Sequence, residues 1–168
     1  MVSIRSMLLI GAAAALVSVP ATARAQDVGL ALGARPKPVV LSDLNGRSID
    51  LGQYIGKRPV LLEFWATWCP LCRALEPQLA SVKKRSGGKL SIFVVAVGVN
   101  QNPRSIKRHL EKHPAPGVVL WDEDGAAVRA FEAPGTSYVV LLDARGKVVY
   151  TGSGSEQKLL AIMSKALP

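Results

Sequence analysis

The sequence predicts an α/β domain with a mixed central β-sheet flanked by helices. Two continuous apolar runs, at 59–66 and 90–99, have the length and composition of strands that are covered on both faces. Each run is followed by a helical pattern, and strand–helix–strand units imply parallel pairing. Two further strand patterns around a turn, at 138–142 and 147–151, add an antiparallel hairpin. The length of 168 residues suits one compact domain.

Local signals place the elements along the chain. An Asp-x-Asn-Gly turn at 43–46 joins two short strands into an N-terminal hairpin, Gly87 and Gly88 end the first helix, and Pro103 starts the second. Ser155 is the candidate N-cap of the last helix. The predicted strands are 39–41, 48–51, 59–66, 90–99, 118–121, 138–142 and 147–151, and the predicted helices are 50–55 (one turn), 70–85, 103–113, 124–131 and 155–167.

Residues 1–25 have the pattern of a signal peptide. Arg5 precedes an apolar stretch at 7–19, and Ala23 and Ala25 form a small-x-small cleavage site. The stretch is shorter than the roughly 20 residues that span a bilayer, so a cleaved signal is favoured over a retained membrane anchor. We therefore expect export to the periplasm, a flexible lead-in at 26–37, and a folded domain at 38–168.

The positive charge does not form a nucleic-acid site. The formal net charge is +9, but the longest Lys/Arg run is the three residues at 83–85, and aromatic residues make up only 5% of the chain. A nucleic-acid surface would concentrate basic residues with aromatic side chains between them. The charge is expected to give a basic, solvated surface, and no nucleic-acid partner is expected.

Cys69 is the candidate nucleophile. The strand at 59–66 ends shortly before it, and Pro70 suits the first position of the following helix, so Cys69 falls at the N-cap. Unpaired N–H groups and the positive end of the helix dipole favour a thiolate there. Such cysteines reach a pKa of about 3.5–7.5, compared with about 8.5 for a free thiol.

Cys72 lies one helical turn further on and is the candidate resolving thiol. Residues at i and i+3 are about 5–6 Å apart on one helix face, which is within the range for a disulfide. A purely structural disulfide would close a very short loop and stabilise little. Half of a zinc site would need about four ligands, and only His109 and His113 could supply the others. Redox chemistry is therefore the favoured interpretation.

The active-site segment resembles that of the thioredoxin superfamily. Residues 59–77 read PVLLEFWATWCPLCRALEP, and the FWATWCPxC string is similar to that of the exported TlpA/ResA-like group. Weaker similarity extends over the hairpin at 41–46 and the segments at 97–100 and 141–147, so that the resemblance covers about 38–167. It implies a thioredoxin-like fold with an N-terminal β-hairpin extension and protein thiol–disulfide oxidoreductase activity.

The resemblance also assigns expected roles to flanking residues. Glu63 takes the place of a buried acid that moves the proton of the resolving thiol, and Trp68 that of an aromatic client contact beside the nucleophile. Pro70 and Leu71, between the cysteines, are expected to touch the client, and Pro77 to kink the helix. A Glu63 directed to a solvated edge and a Trp68 in ordinary packing are the alternatives.

Partners and cofactors follow from the same resemblance. Client protein disulfides or dithiols would be the substrates, with a membrane thiol-transfer protein as electron donor. Cytochrome c maturation is a family-level role. No cofactor or metal is expected, since the two cysteines form the redox group, and the protein is expected to be monomeric. The Pro70-Leu71 dipeptide does not fix the direction of electron flow, because potentials of CxxC proteins span about −270 to −120 mV.

One family feature is altered in this sequence. The family has a cis-proline opposite the disulfide, just before the fourth strand of its core. Counting back from the strand at 138–142 puts Ser137 in that place, preceded by Thr136, while Pro134 lies three residues earlier. Either Ser137 replaces the proline or Pro134 fills the role through a shifted loop, and the first alternative is slightly favoured. All three are candidate client contacts.

Two other activities fit the same fold less well. A copper-binding metallochaperone would pair the thiols with a distal histidine, for which His109 and His113 are candidates at i and i+4, although they lie on a charged helix end. A peroxiredoxin would have threonine three residues before the reactive cysteine, where this chain has Ala66 and places Thr67 one residue later.

Overall fold

The computed structural model describes residues 29–167. It confirms the thioredoxin-like fold, with one seven-stranded mixed sheet in the order β2-β1-β5-β4-β3-β6-β7. The strands are β1 (Val40–Asp43), β2 (Ser48–Asp50), β3 (Val60–Trp65), β4 (Ser91–Val97), β5 (Val118–Asp122), β6 (Tyr138–Leu142) and β7 (Val148–Gly152). The helices are α1 (Pro70–Ser86), α2 (Pro103–Leu110), α3 (Ala126–Ala130) and α4 (Leu159–Met163), with a 3-10 turn at Leu51–Gln53.

The pairing places the carboxyl end of β3 at the centre of the sheet. β3 runs parallel to β4, and β4 parallel to β5, while β6 pairs antiparallel with the other side of β3. All six residues of β3 are buried. The residues that follow β3 therefore emerge beside the start of β6, which brings the cysteine segment close to residues 134–137.

The N-terminal hairpin extends the sheet. β1 pairs antiparallel with β2, and its last residues pair with β5, with Ser42 opposite Trp121. Asp43 closes the turn, because its carboxylate accepts the N–H groups of Asn45 and Arg47 at 2.8 and 2.9 Å. The predicted N-terminal hairpin is confirmed, and it covers β5, which would otherwise be an edge strand.

Two apolar layers enclose the sheet. Leu61 and Leu141 face α1 and α4, whereas Leu62 and Val140, one residue along each strand, belong to the larger cluster on the other face. The α1 side is closed by a stripe of helical residues: Leu75, Leu79 and Val82 on α1, and Leu159 and Met163 on α4.

The terminal helix begins later than its sequence pattern predicts. Its predicted range is 155–167 with Ser155 as N-cap, but α4 begins at Leu159, after Lys158. The Gln78 side chain of α1 replaces the first helical hydrogen bond: its amide N–H donates to the Ser155 carbonyl at 2.8 Å, and its oxygen accepts the Leu159 N–H at 3.0 Å. The prediction of a Ser155 cap was therefore wrong, because a side chain from a distant helix takes over that role.

Other boundaries differ by a few residues. α2 ends at Leu110 rather than at 113, followed by a turn in which His113 N–H donates to the His109 carbonyl. Pro114 comes next and disfavours continuation of the helix. The strand predicted at 90–99 is shorter, since β4 ends at Val97.

Part of the segment predicted as a flexible lead-in packs onto the domain. Gly33 N–H donates to the Val148 carbonyl at 2.7 Å, and Val148 N–H donates to the Ala34 carbonyl at 2.9 Å. Leu30 is buried, and its N–H donates to the Tyr138 hydroxyl at 3.0 Å. Residues 29–34 therefore lie along β6 and β7. The predicted signal peptide at 1–25 lies outside the described residues.

Within 29–167 no helix combines the length and apolar character needed to cross a membrane.

Candidate active site

Cys69 caps α1 at the point where the chain leaves β3. Its backbone is extended (φ −87°, ψ 106°), Pro70 occupies the first turn, and the Cys72 N–H donates to the Cys69 Sγ at 3.1 Å. Proline fits this position because its missing N–H would have no partner there. The sulfur therefore lies at the positive end of a 17-residue helix, where an unpaired backbone donor stabilises negative charge.

Cys69 and Cys72 form a disulfide. Their Cα atoms are 5.3 Å apart, as the helical spacing predicts. Cys69 is 5% exposed and Cys72 is fully buried, so the outer sulfur is the one that a client reaches. The Cys72 sulfur lies 4.0 Å from the Phe64 carbonyl oxygen, which is an acceptor for its S–H in the reduced protein.

Glu63 is buried beneath α1. Glu63 lies two residues after Leu61 on β3, so both side chains lie on the same face of the sheet, and it pairs with Val139 of β6. Leu61 and Val139 both belong to the α1 side of the core. Glu63 is 1% exposed, and its Oε1 has no hydrogen-bond partner among residues 29–167. Burial, with a smaller contribution from the charge of Glu76, raises the pKa of Glu63 to about 8. The pKa therefore lies close enough to neutral pH for the carboxyl group both to take up and to release a proton.

An apolar patch surrounds the cysteines. Trp68 and Leu71 are 47% and 49% exposed, and Pro70 between the cysteines is also exposed. The Trp68 indole N–H donates to the Val99 carbonyl at 2.8 Å, which holds the ring against the end of β4. These side chains provide a flat surface beside Cys69.

A cleft of about 220 Å³ opens next to this patch. Its walls are mostly apolar and include three of the predicted client contacts, Trp68, Pro134 and Thr136. The lining residues are Trp68, Val97, Val99, Val128, Ala133, Pro134, Gly135 and Thr136. The structure thus brings both sides of the predicted client surface together.

Ser137 comes immediately before β6, which is the place predicted for the family's cis-proline. Its N–H donates to the Phe64 carbonyl at 2.7 Å, next to the pairing of Phe64 with Tyr138. No peptide bond among residues 29–167 is cis, and Ser137 adopts a left-handed conformation with φ 60°. Pro134 is exposed at the rim of the cleft instead.

The histidine pair lies beside the site without joining the cysteines. The rings of His109 and His113 are 4.7 Å apart, and His109 packs edge-on against Trp65 at 5.4 Å. Partial burial, and then the neighbouring His113 and Arg73, lower the pKa of His109. In the described part of the chain, no three or more His, Cys, Asp or Glu side chains are arranged to hold a metal ion.

Pro77 lies inside α1, five residues after Cys72. It cannot donate a backbone hydrogen bond to the preceding turn, and its own carbonyl accepts the Ser81 hydroxyl at 2.8 Å. Its expected role in kinking the helix stays a prediction.

Three supporting residues were not predicted from the sequence. Gln101 accepts the Thr67 N–H at 3.0 Å and donates to the Val97 carbonyl at 2.7 Å, which fixes the loop before Cys69. Glu76 lies four residues after Cys72, on the same side of α1. Gln157 bonds to the Ser137 carbonyl. Of these, only Glu76 carries a local signal, its spacing from Cys72.

The fold and the cysteine pair at the start of α1 define a thioredoxin-like thiol–disulfide oxidoreductase. Known proteins agree. The Redoxin family matches residues 19–167. The thiol-disulfide oxidoreductase ResA of Bacillus subtilis is 29% identical over 131 residues, covering 77% of this chain and 72% of that protein. ResA of Geobacillus thermodenitrificans is 27% identical over 139 residues, covering 80% and 77%.

Solved structures give the same fold. A DsbE-type thiol:disulfide interchange protein from Chlorobium tepidum superposes with a TM-score of 0.73 at 24% identity, covering 83% of this chain and 99% of that one. StoA from Bacillus subtilis gives a TM-score of 0.63 at 18% identity, covering 76% and 96%. The chain belongs to the Redoxin family, and within the thioredoxin superfamily it is ResA-like.

Proposed function

We propose that this protein is an exported thiol–disulfide oxidoreductase that reduces disulfides of client proteins in the periplasm. The observation that carries the proposal is the asymmetry of the pair: Cys69 caps α1 and is 5% exposed, whereas Cys72 is fully buried one turn deeper. The signal-like segment at 1–25 supports export. The protein acts as a monomer and receives electrons from a membrane thiol-transfer protein.

The cycle starts from the dithiol. The Cys69 thiolate attacks a client disulfide, which releases one client thiolate and forms a mixed disulfide. Cys72 then loses its proton and attacks Cys69, so that the Cys69–Cys72 disulfide forms and the second client thiolate leaves. The client gains two electrons and the protein loses two. No further cofactor is needed.

Glu63 and the apolar surface have separate roles in this cycle. Glu63, buried on the side of the sheet that α1 covers, moves the proton of Cys72 during resolution. Trp68, Leu71 and Thr136 contact the client chain around its cysteine. Pro70 adds apolar surface between the two sulfurs.

Equilibration with glutathione tests both the activity and its direction. The fraction of Cys69–Cys72 disulfide is measured across ratios of reduced and oxidised glutathione. A reductase is expected to have a potential closer to about −270 mV than to −120 mV. A potential near the upper value would overturn the reducing direction, and failure of the pair to exchange would overturn the activity itself.

A trapping experiment tests the proposed roles of Cys69 as nucleophile and Cys72 as resolving thiol. Cys72→Ser is expected to accumulate a mixed disulfide with a disulfide-bearing protein, whereas Cys69→Ser is expected to form none, because the buried thiol cannot be reached. Non-reducing electrophoresis followed by peptide mapping identifies the trapped sulfur. Equal trapping by both variants would contradict the proposed roles.

A further inference from the structure

Ser137 holds an unfavourable backbone conformation at the edge of the active site. Its φ of 60° is left-handed, although the residue carries a Cβ, and its side chain is 1% exposed. A conformation of this kind persists in a non-glycine residue only when the surrounding structure fixes it. The contacts that fix Ser137 therefore determine how the preceding peptide is presented.

Hydrogen bonds from two directions hold Ser137. On one side its N–H donates to the Phe64 carbonyl of β3 at 2.7 Å. On the other, its hydroxyl accepts the Gly154 N–H at 3.1 Å, and its carbonyl accepts an N–H of the Gln157 side chain at 2.8 Å. The bond from Gln157 is the one made by another residue's side chain, so it can be removed by substitution.

The Gln157 amide is fully engaged. The residue is 6% exposed, and its Nε2 also donates to the Gly154 carbonyl at 2.6 Å. Its Oε1 accepts the Tyr150 hydroxyl at 3.1 Å. Both amide N–H groups and the amide oxygen thus have partners, and Tyr150, as the hydroxyl donor, fixes which way the amide points. Gln157 cannot turn away without leaving buried polar groups unpaired.

The anchored residue adjoins the client surface. Thr136 comes immediately before Ser137 and lines the cleft together with Trp68. Because the two residues share a peptide bond, the conformation of Ser137 sets where Thr136 lies. We propose that Gln157 is a positioning residue for client binding, which holds Ser137 in its left-handed conformation and so keeps Thr136 in place at the cleft. This inference rests on the proposed function.

The test separates client binding from redox chemistry. Gln157→Leu retains bulk but removes all three amide bonds, so Ser137 relaxes towards ordinary conformations and the binding-competent fraction falls. The KM for reduction of insulin, with dithiothreitol as electron donor, is expected to rise about tenfold. Gln157→Glu, which lacks the N–H donors, is expected to act in the same way if the leucine variant fails to fold. The potential of the cysteine pair against glutathione is expected to be unchanged in both.

A matched control and a rescue complete the design. Gln78→Leu removes a comparable pair of side-chain hydrogen bonds from the same loop but leaves Ser137 bonded to Gln157, so its KM is expected to stay near wild type. Ser137→Gly combined with Gln157→Leu is expected to recover most of the lost affinity, because glycine adopts the left-handed region readily.

An unchanged KM in Gln157→Leu, or an equal rise in Gln78→Leu, overturns the inference, and so does failure of the glycine rescue. These outcomes differ from failure of the proposed function, in which the wild-type protein would not reduce insulin or exchange with glutathione.

Discussion

At the scale of single residues, Glu63 is the most unusual group in the molecule. A carboxyl side chain at the centre of a buried strand, with one oxygen unpartnered, is costly unless it stays neutral. The pKa of about 8, raised first by burial and then by Glu76, shows that it does so at neutral pH. The same property suits a group that exchanges a proton with Cys72.

Replacing Glu63 by glutamine is expected to stabilise the protein in a pH-dependent way. In the unfolded chain the carboxyl ionises near its ordinary pKa of 4.5, but in the folded chain only near 8. The unfolded state therefore gains free energy from ionisation as pH rises from about 4.5 to 8, and wild-type stability falls over that window. The glutamine in Glu63→Gln does not ionise, so the variant does not lose this stability. The difference in the free energy of unfolding is on the order of a few kcal/mol at pH 8.

Urea unfolding of the oxidised proteins at pH 5 and pH 8 measures the effect. The advantage of Glu63→Gln over wild type is expected to be clearly larger at pH 8. Glu76→Gln serves as the control, since Glu76 contributes the smaller share of the pKa shift. A stability difference that is equal at the two pH values would show that Glu63 ionises normally.

At the scale of elements, the short helices depend on side chains that lie outside the helix itself. α3 has only five residues, and its N-cap, Gly125, has no side chain to offer. Asp122, fully buried at the end of β5, supplies the missing acceptors: its two carboxylate oxygens accept the Ala127 and Val128 N–H groups, each at 3.0 Å. This contact joins α3, one wall of the cleft, to the sheet.

Asp122→Ala is therefore expected to lower the free energy of unfolding by about 1–3 kcal/mol, because it leaves buried backbone donors unpaired. Asp124→Ala is the matched control: its carboxylate accepts the Ala126 N–H at 3.1 Å at an exposed site, and a smaller loss is expected. Denaturant titration of both variants in the oxidised state compares them. A loss for Asp122→Ala no larger than that of the control would contradict the capping role.

The distance along the chain between an element and the side chains that cap it explains which elements the sequence predicts well. α1 and its active-site cap depend on neighbours in the chain, since Cys69, Pro70 and Gly87 each act within a few residues. The start of α4 does not, because Gln78, about 80 residues away, replaces its first hydrogen bond. No local pattern contains that information, so the helical composition after Ser155 predicts a helix that is too long.

The candidate site also has one part that the local sequence predicts and another that depends on distant contacts. The string around Trp68, Cys69 and Cys72 predicts a redox pair, and the apolar strand around Glu63 predicts that this carboxyl group is buried. The anchoring of Ser137 by Gln157 depends on how β7 and the following loop return to the sheet. Steric clashes of the Cβ atom also disfavour a left-handed conformation for serine, so the sequence alone does not predict it.

At the scale of the whole molecule, residues 29–34, which precede β1, are part of the fold. Leu30 is buried, and its N–H donates to the hydroxyl of Tyr138, the first residue of β6. Since Ser137 immediately precedes Tyr138, this contact ties residues 29–34 to the strand that follows the cleft residue Thr136.

Tyr138→Phe is expected to lower the free energy of unfolding by about 1–3 kcal/mol, because the Leu30 N–H loses its acceptor. Limited proteolysis is expected to cut faster within 29–34, where the local contacts are weakened. Tyr54→Phe, at a partly buried tyrosine beside the 3-10 turn, is the control for loss of a hydroxyl group. Unchanged stability and cleavage would show that the segment is held by its other contacts.

The proposed chemistry depends on the sulfur atom of Cys69, which is made reactive by its place at the start of α1. The most direct test is to alkylate the fully reduced protein with iodoacetamide over a range of pH and to locate the modified cysteine by mass spectrometry. Cys69 is expected to react first, with a midpoint well below the pKa of about 8.5 of a free cysteine. Preferential modification of Cys72, or a midpoint equal to that of a free thiol, would contradict the account.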